Sequence, residues 1–286
     1  MKKLGVLIPC ALLVLGVLVL GAGCRQEAKK EVVAGMQNPL LTEFDTPFGV
    51  PPFEKILPEH FLPAYAEGMR RQSAEIDAIV AGDEAPTFAN TVAALFASGE
   101  LLENVGNVFD ATTSANTNDA IQAVAEQVRP QLASHEDAIT LNPKLFERIK
   151  TVYDRRAEWN LGPADAYLLE RLYRSFVQNG ALLPLDKQEE LKKINQELAG
   201  LAVKFDNNLL AETNAYRMVV ERQEDLAGLP PAVVATAAET AARAGLAGKW
   251  VFTTHKPSMI PFLQYADNRA LREKLYAAYT NRGNNG

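Results

Sequence analysis

The stretch His135-Glu-Asp-Ala-Ile139 comes nearest in this sequence to a metal-binding helix. Two histidines at i and i+4 face the same way on a helix and chelate one zinc, with the intervening Glu as base. Here the fifth residue is Ile139, so the second ligand is missing and an ordinary histidine near a helix end is expected. His60 stands beside Pro58 and Glu59 at a helix start, where a local hydrogen-bonding role is expected. His255 follows a strand-like run and precedes Lys256-Pro257, read as a turn. None has a partner at ligand spacing, so the sequence assigns this chain no metal ligand and no catalytic residue.

Other chemistries also lack their residues. No G-x-S-x-G elbow surrounds Ser73, Ser98, Ser114, Ser134, Ser175 or Ser258, and the glycines never gather into a phosphate loop. Glu189-Glu190 reads as a solvated helix face rather than an acid–base couple. Tyr65, Tyr167, Tyr173 and Trp159, at helical spacing, read as core. The 29 basic and 35 acidic side chains give a net charge of −6. Basic residues come at most in pairs, such as Arg70-Arg71, so no nucleic-acid surface is expected.

The two cysteines are Cys10 and Cys24. Lys2 and Lys3 precede a nearly unbroken apolar run from Leu4 to Leu20, followed by Gly21, Ala22 and Gly23. A charged start, a greasy middle and small residues make a secretory signal, residues 1–23. The segment Leu20-Gly-Ala-Gly-Cys24 resembles the lipobox of bacterial lipoproteins, which implies that Cys24 is acylated and becomes the first mature residue. Each buried acyl methylene contributes roughly 0.8 kcal/mol, so two or more chains anchor a protein stably. The expected location is the cell envelope, held to a membrane by lipid. If the host is Gram-negative, Arg25 in place of Asp favours the outer membrane, facing the periplasm. Residues 24–52, with the proline group "TPFGVPPF", read as a tether and extended lead-in.

The elements that must position any chemistry are helices. Residues Pro58 to Ala81 carry apolar residues at helical spacing, and Thr87 can cap a segment whose stripe runs from Val92 to Phe109. "TTSANTND" reads as a turn, after which Thr117 or Asn118 can start a helix reaching at least His135. Asn142-Pro143 is a strong start signal. Further helices are expected from Pro163 to Asn179-Gly180 and from about Pro184 to Ala215. "YRMVVE" and "KWVFTT" are strand-like and could pair as a small β ribbon within 216–254, with a turn and helix between them. Ile260 to Tyr265 and Arg269 to Tyr279 complete a mainly α chain.

Three segments, taken in order, resemble the zinc-dependent oligopeptidases of the M3 family, most closely its bacterial peptidyl-dipeptidase and oligopeptidase A branch. They are "NPLLTEFDTPFGVPPFEKILPEHFLPAYAEGM" (38–69), "FDNNLLAETNAYRMVVERQEDLAGLPPAVV" (205–234) and "YADNRALREKLYAAYTNRGNNG" (265–286). The resemblance implies that residues 53–286 are the helical N-terminal half of a two-lobed channel metallopeptidase. In that family the second half carries His-Glu-x-x-His, a further Glu ligand, and Tyr and His residues that stabilise the transition state. A zinc-bound water attacks short peptides admitted by the channel.

None of those catalytic positions has a counterpart here. Zinc is therefore expected for the full-length enzyme and not for this chain. The expectation is a channel-wall domain of a longer lipid-anchored peptidase of short peptides, inactive alone and monomeric, with a stand-alone half-domain as the rival reading. From another class, the alternative is a non-catalytic helical envelope lipoprotein that binds peptides or a partner protein.

Overall fold

A computed structural model describes residues 38–284. The signal segment and Cys24 lie outside the described residues. The chain divides into two compact units between Ala64 and Tyr65.

In the first unit, Asn38 caps the short 3₁₀ turn Pro39–Leu41, its side chain accepting from the Leu40 N–H at 3.0 Å. The Asn38 amide also donates to the carbonyl of His60 at 2.8 Å. Two more 3₁₀ turns, Pro47–Gly49 and Phe53–Lys55, follow. Proline at the start of such turns presets φ and removes an N–H that has no partner there anyway. Helix α1, Pro58–Ala81, begins in this unit.

The second unit is helical apart from one ribbon. A π-helical turn, Phe88–Ala93, is closed by a reciprocal cap: Asn90 N–H donates to Thr87 Oγ1 and Thr87 N–H to Asn90 Oδ1. It passes into Ala94–Phe96. Then come α2 (Glu100–Asn116), α3 (Asp119–Thr140), α4 (Pro143–Asp154), α5 (Pro163–Gln178) and α6 (Leu185–Ala215). Strand β1 (Met218–Val220), α7 (Pro231–Arg243), β2 (Trp250–Phe252), α8 (Lys256–Tyr265) and α9 (Arg269–Thr280) complete it. The strands pair antiparallel, Met218 opposite Phe252 and Val220 opposite Trp250. The mainly α fold with a small ribbon is as the sequence implied.

Buried apolar residues gather in clusters that follow chain order. Ile76 and Ile79 of α1 meet Leu145, Phe146 and Ile149 of α4 and Phe176 of α5. Across α4 and α5 the rings form a ladder: Tyr153 stacks on Tyr173 at 4.0 Å, Tyr173 on Phe146 at 5.9 Å, and Phe146 on Phe176 at 6.2 Å. Arg148, also on α4, ties down the loop after α1 by donating to the carbonyls of Gly82 and Glu84. Val92, Val152 and Leu169 form a smaller cluster under Trp159. A third joins the ribbon to the last helices through Met218, Val220, Phe252, Phe262 and Leu275.

Several sequence expectations need correction. "TTSANTND" is mostly helix, because α2 runs on to Asn116. The Thr112 and Thr113 hydroxyls fold back onto the carbonyls of Val108 and Phe109, which satisfies them without leaving the helix. The stripe from Val92 to Phe109 is interrupted at Ser98-Gly99, where Gly99 takes φ +83°, and Phe96 is exposed. The left-handed backbone favours glycine here, and a Cβ on Gly99 would lie 2.3 Å from the Gln72 amide, which would have to move aside. Lys256-Pro257 opens α8 rather than forming a turn, with Pro257 in the first helical positions.

The start of α4 is the best-defined of these boundaries. Asn142 Oδ1 accepts from the N–H groups of both Lys144 and Leu145 at 3.1 Å. Asn142→Ala leaves both donors without a side-chain acceptor and should lower the unfolding free energy by about 1 kcal/mol, measured by urea denaturation.

Candidate functional site

The three histidines do not converge. His60 Nδ1 accepts from the Leu57 N–H at 3.1 Å, a local bond at the start of α1. His135 lies inside α3, which continues past it to Thr140, and its Nε2 meets Gln72 Oε1 at 2.8 Å. Burial holds the His135 pKa below the usual histidine value, so its ring stays neutral at neutral pH. Ile139, where a second ligand would be needed, packs with the α1–α4–α5 core. Among the described residues, no group of three or more His, Cys, Asp or Glu could hold a metal ion.

His255 sits at the N-cap of α8 beside an apolar groove of about 290 Å³ lined by Val233, Thr236, Ala237, Val251 and Phe252. Its Nδ1 lies 3.3 Å from Thr253 Oγ1, and Ser258 Oγ accepts from the Thr253 N–H at 3.0 Å. Both side chains are thus engaged in holding the β2–α8 junction. The groove has room for one or two apolar side chains and brings no acid–base pair to bear on them.

The carboxylates behave as the sequence suggests. Glu189 pairs with Lys192 and Glu190 with Lys187, each at 2.7 Å on an exposed face of α6. Of the aromatic residues read as core, Tyr65 is fully buried, but Tyr167 is exposed. Tyr167 lies in the first turn of α5, among residues that are exposed from Gly162 onward.

The structure does bring together two segments that sequence reasoning left apart. Asp225-Leu-Ala-Gly-Leu-Pro230 docks against Tyr265-Ala-Asp-Asn268. Asp225 Oδ1 accepts from the Asn268 amide at 2.8 Å, while Asn268 Oδ1 caps α9 by accepting from the Leu271 N–H. The Asp267 N–H donates to the Ala227 carbonyl at 2.8 Å. Gly228, at φ +86°, comes so close that a Cβ there would lie 2.1 Å from the Tyr265 carbonyl oxygen. Arg222 adds a two-pronged contact to Asp225, and these hydrogen bonds hold the Asp225 carboxyl below the ordinary carboxylate range. Parts of two segments that carry the family resemblance thus form one structural joint. The glycine inside "DLAGLP" was the available signal for such a close approach.

No family model matches the chain. What the fold and the comparisons define is a helical segment homologous to peptidases. The chain is 39% identical to dipeptidyl carboxypeptidase of Escherichia coli over 241 residues, 84% of this chain and 35% of that protein. It is 30% identical to Escherichia coli oligopeptidase A over 247 residues, covering 86% of this chain and 36% of that protein. A similarity at 29% identity extends to a probable cytosolic oligopeptidase A of Arabidopsis thaliana, again over 87% of this chain and 36% of that protein. Its homologues are thus the M3-type dipeptidyl carboxypeptidases and oligopeptidases A, and the chain spans about a third of their length.

Two glycines test the joint against its surroundings. Gly228→Ala forces both a left-handed backbone and a clash with a carbonyl, and should cost more than about 2 kcal/mol. Gly106, within α2, has nothing within 4 Å of its Cβ position. Gly106→Ala should stabilise by about 0.5–1 kcal/mol. Thermal melts of the two variants should move in opposite directions.

Proposed function

We propose that this chain is the N-terminal, channel-wall portion of a zinc metallopeptidase that cleaves short peptides in the cell envelope. The carrying observation is the 39% identity to dipeptidyl carboxypeptidase over 84% of the chain. The joint between residues 225–230 and 265–268 supports it, because these segments carry the resemblance and are used for architecture rather than chemistry. In this reading the helical wall limits the size of peptide admitted, and the zinc ligands and the catalytic Glu belong to the part of such enzymes that this chain does not span. Zinc serves the full-length enzyme by activating water. This chain contributes the wall alone.

The envelope location rests on the N-terminal sequence. The apolar run Leu4 to Leu20 and the lipobox-like Leu20-Gly-Ala-Gly-Cys24 support acylation at Cys24, with residues 24–52 as the tether. Among the described residues, no helix is long and apolar enough to cross a membrane. A lipid anchor requires no such helix.

The purified full chain, titrated calorimetrically with zinc and assayed on short peptides, should bind no stoichiometric zinc and release no dipeptide. One tightly bound zinc per chain with hydrolysis would overturn the assignment of catalysis to other residues. Reading the gene past the codon for Gly286 should show the frame continuing to His-Glu-x-x-His. A stop codon there would remove the peptidase reading and leave a binding module. For the anchor, Cys24→Ala should abolish labelling by radioactive palmitate and move the protein from the detergent to the aqueous phase in cloud-point partitioning. An unchanged partition would remove Cys24 as the attachment site.

A further inference from the structure

The turn between α5 and α6 holds Asn179-Gly180, the one Asn-Gly pair among the described residues. Such a pair is chemically labile wherever its backbone is free to move. The glycine nitrogen, once deprotonated, attacks the asparagine side-chain carbon, and the missing Cβ leaves that approach open. Here both reactants are engaged. Asn179 is the C-cap of α5, and Gly180 follows at φ +95°. The Gly180 N–H donates to the Val177 carbonyl at 3.1 Å, and the Ala181 N–H to the Phe176 carbonyl at 3.0 Å. These two bonds make the Schellman ending of a helix. The nitrogen that would attack is thus the one that closes α5. The Asn179 amide, for its part, donates back to Ser175 Oγ at 3.3 Å.

The same turn is held from its other side. Gln188, buried in the first turn of α6, directs its side-chain amide at three carbonyls. It donates to those of Gly180 and Ala181 at 3.4 Å and of Leu183 at 3.1 Å. Gly180 is also tightly packed, since a Cβ there would lie 2.7 Å from Leu191 and 3.0 Å from Leu183. We propose that Asn179 is a deamidation site that this turn keeps closed, with Gln188 as its clasp. Reaction then proceeds only through local opening of the turn.

In the open turn, hydroxide removes the Gly180 amide proton and the nitrogen bonds to Asn179 Cγ. The Cγ–Nδ2 bond breaks, the amide nitrogen takes a proton from water and leaves as ammonia, and a cyclic succinimide remains. Water then opens the ring at either carbonyl. One opening gives aspartate, the other isoaspartate, in which the main chain runs through the former side-chain carbon. Either product puts a carboxylate at the C-terminus of α5, where the helix dipole disfavours it. Isoaspartate also lengthens the main chain beside Gly180, which is already packed against Leu191 and Leu183. The closed turn does not re-form around it, so each opening that reacts is recorded permanently. The proposal is independent of the peptidase reading, because it uses only α5, α6 and the turn that joins them.

Peptide mapping by mass spectrometry tests it, on the purified full chain incubated at mildly alkaline pH below its melting temperature. A synthetic peptide of residues 174–184 serves as the open reference. Asn179 should convert at least about tenfold more slowly in the folded chain than in the peptide. Gln188→Met keeps the bulk of the side chain and removes its donor, and should raise the rate at Asn179 about fivefold. Asn118→Ala removes the cap of α3, elsewhere in the fold, and should leave that rate within about twofold of wild type. Conversion in the wild type as fast as in the peptide overturns the closed site, whatever the variants do. Equal acceleration in both variants, or none in Gln188→Met, overturns the role of Gln188 as a local clasp.

Discussion

The C-terminal part of the fold depends on how closely two stretches of backbone approach at Gly228. Strands β1 and β2 are three residues each, too short to hold themselves together. Their stability comes from the apolar side that they present to α7, α8 and α9, where Met218, Val220 and Phe252 meet Phe262 and Leu275. That core forms only if the loop after β1 and the bend between α8 and α9 lie against each other. The Ala227 carbonyl, the Asp225 carboxylate and the bare Cα of Gly228 make this possible, each meeting a group from residues 265–268. Desolvating so many backbone polar groups is tolerable because each finds a partner across the joint.

Two of the segments through which the sequence resembles the M3 family meet in this joint. Segments that carry a positive φ, a side-chain cap and a carboxylate–amide bond within a few residues have little freedom to vary physically. The chain spans about a third of those relatives, and that third contains scaffold, caps and core. The histidines illustrate the same point: each is engaged with a nearby side chain or backbone group, and no two of them meet.

Much of the scaffold was legible in the sequence because it rests on local rules. Asn142-Pro143 signals the start of α4 through bonds spanning two and three residues, and Asn118 does the same for α3. The ribbon was legible from two β-branched runs. What could not be read depended on partners far along the chain. Thr112 and Thr113 look like turn residues until their hydroxyls find carbonyls four residues back. Gly99 looks unremarkable until Gln72 stands against it. The apolar residues of α6 fit helical spacing, but spacing alone does not say that α3 covers a different side. The candidate groove beside His255 was likewise invisible, since its walls come from α7, β2 and the first turn of α8.

The stacked rings between α4 and α5 have an optical consequence. Tyr153 and Tyr173 lie 4.0 Å apart and within 5° of parallel, close enough for their transitions to couple. Phe146 and Phe176 extend the stack into the part of the core shared with α1. Packing of these helices therefore has a built-in chromophore, whose near-ultraviolet dichroism vanishes when side-chain order is lost even if the helices themselves persist. The protein reports on the integrity of its own core without any added label.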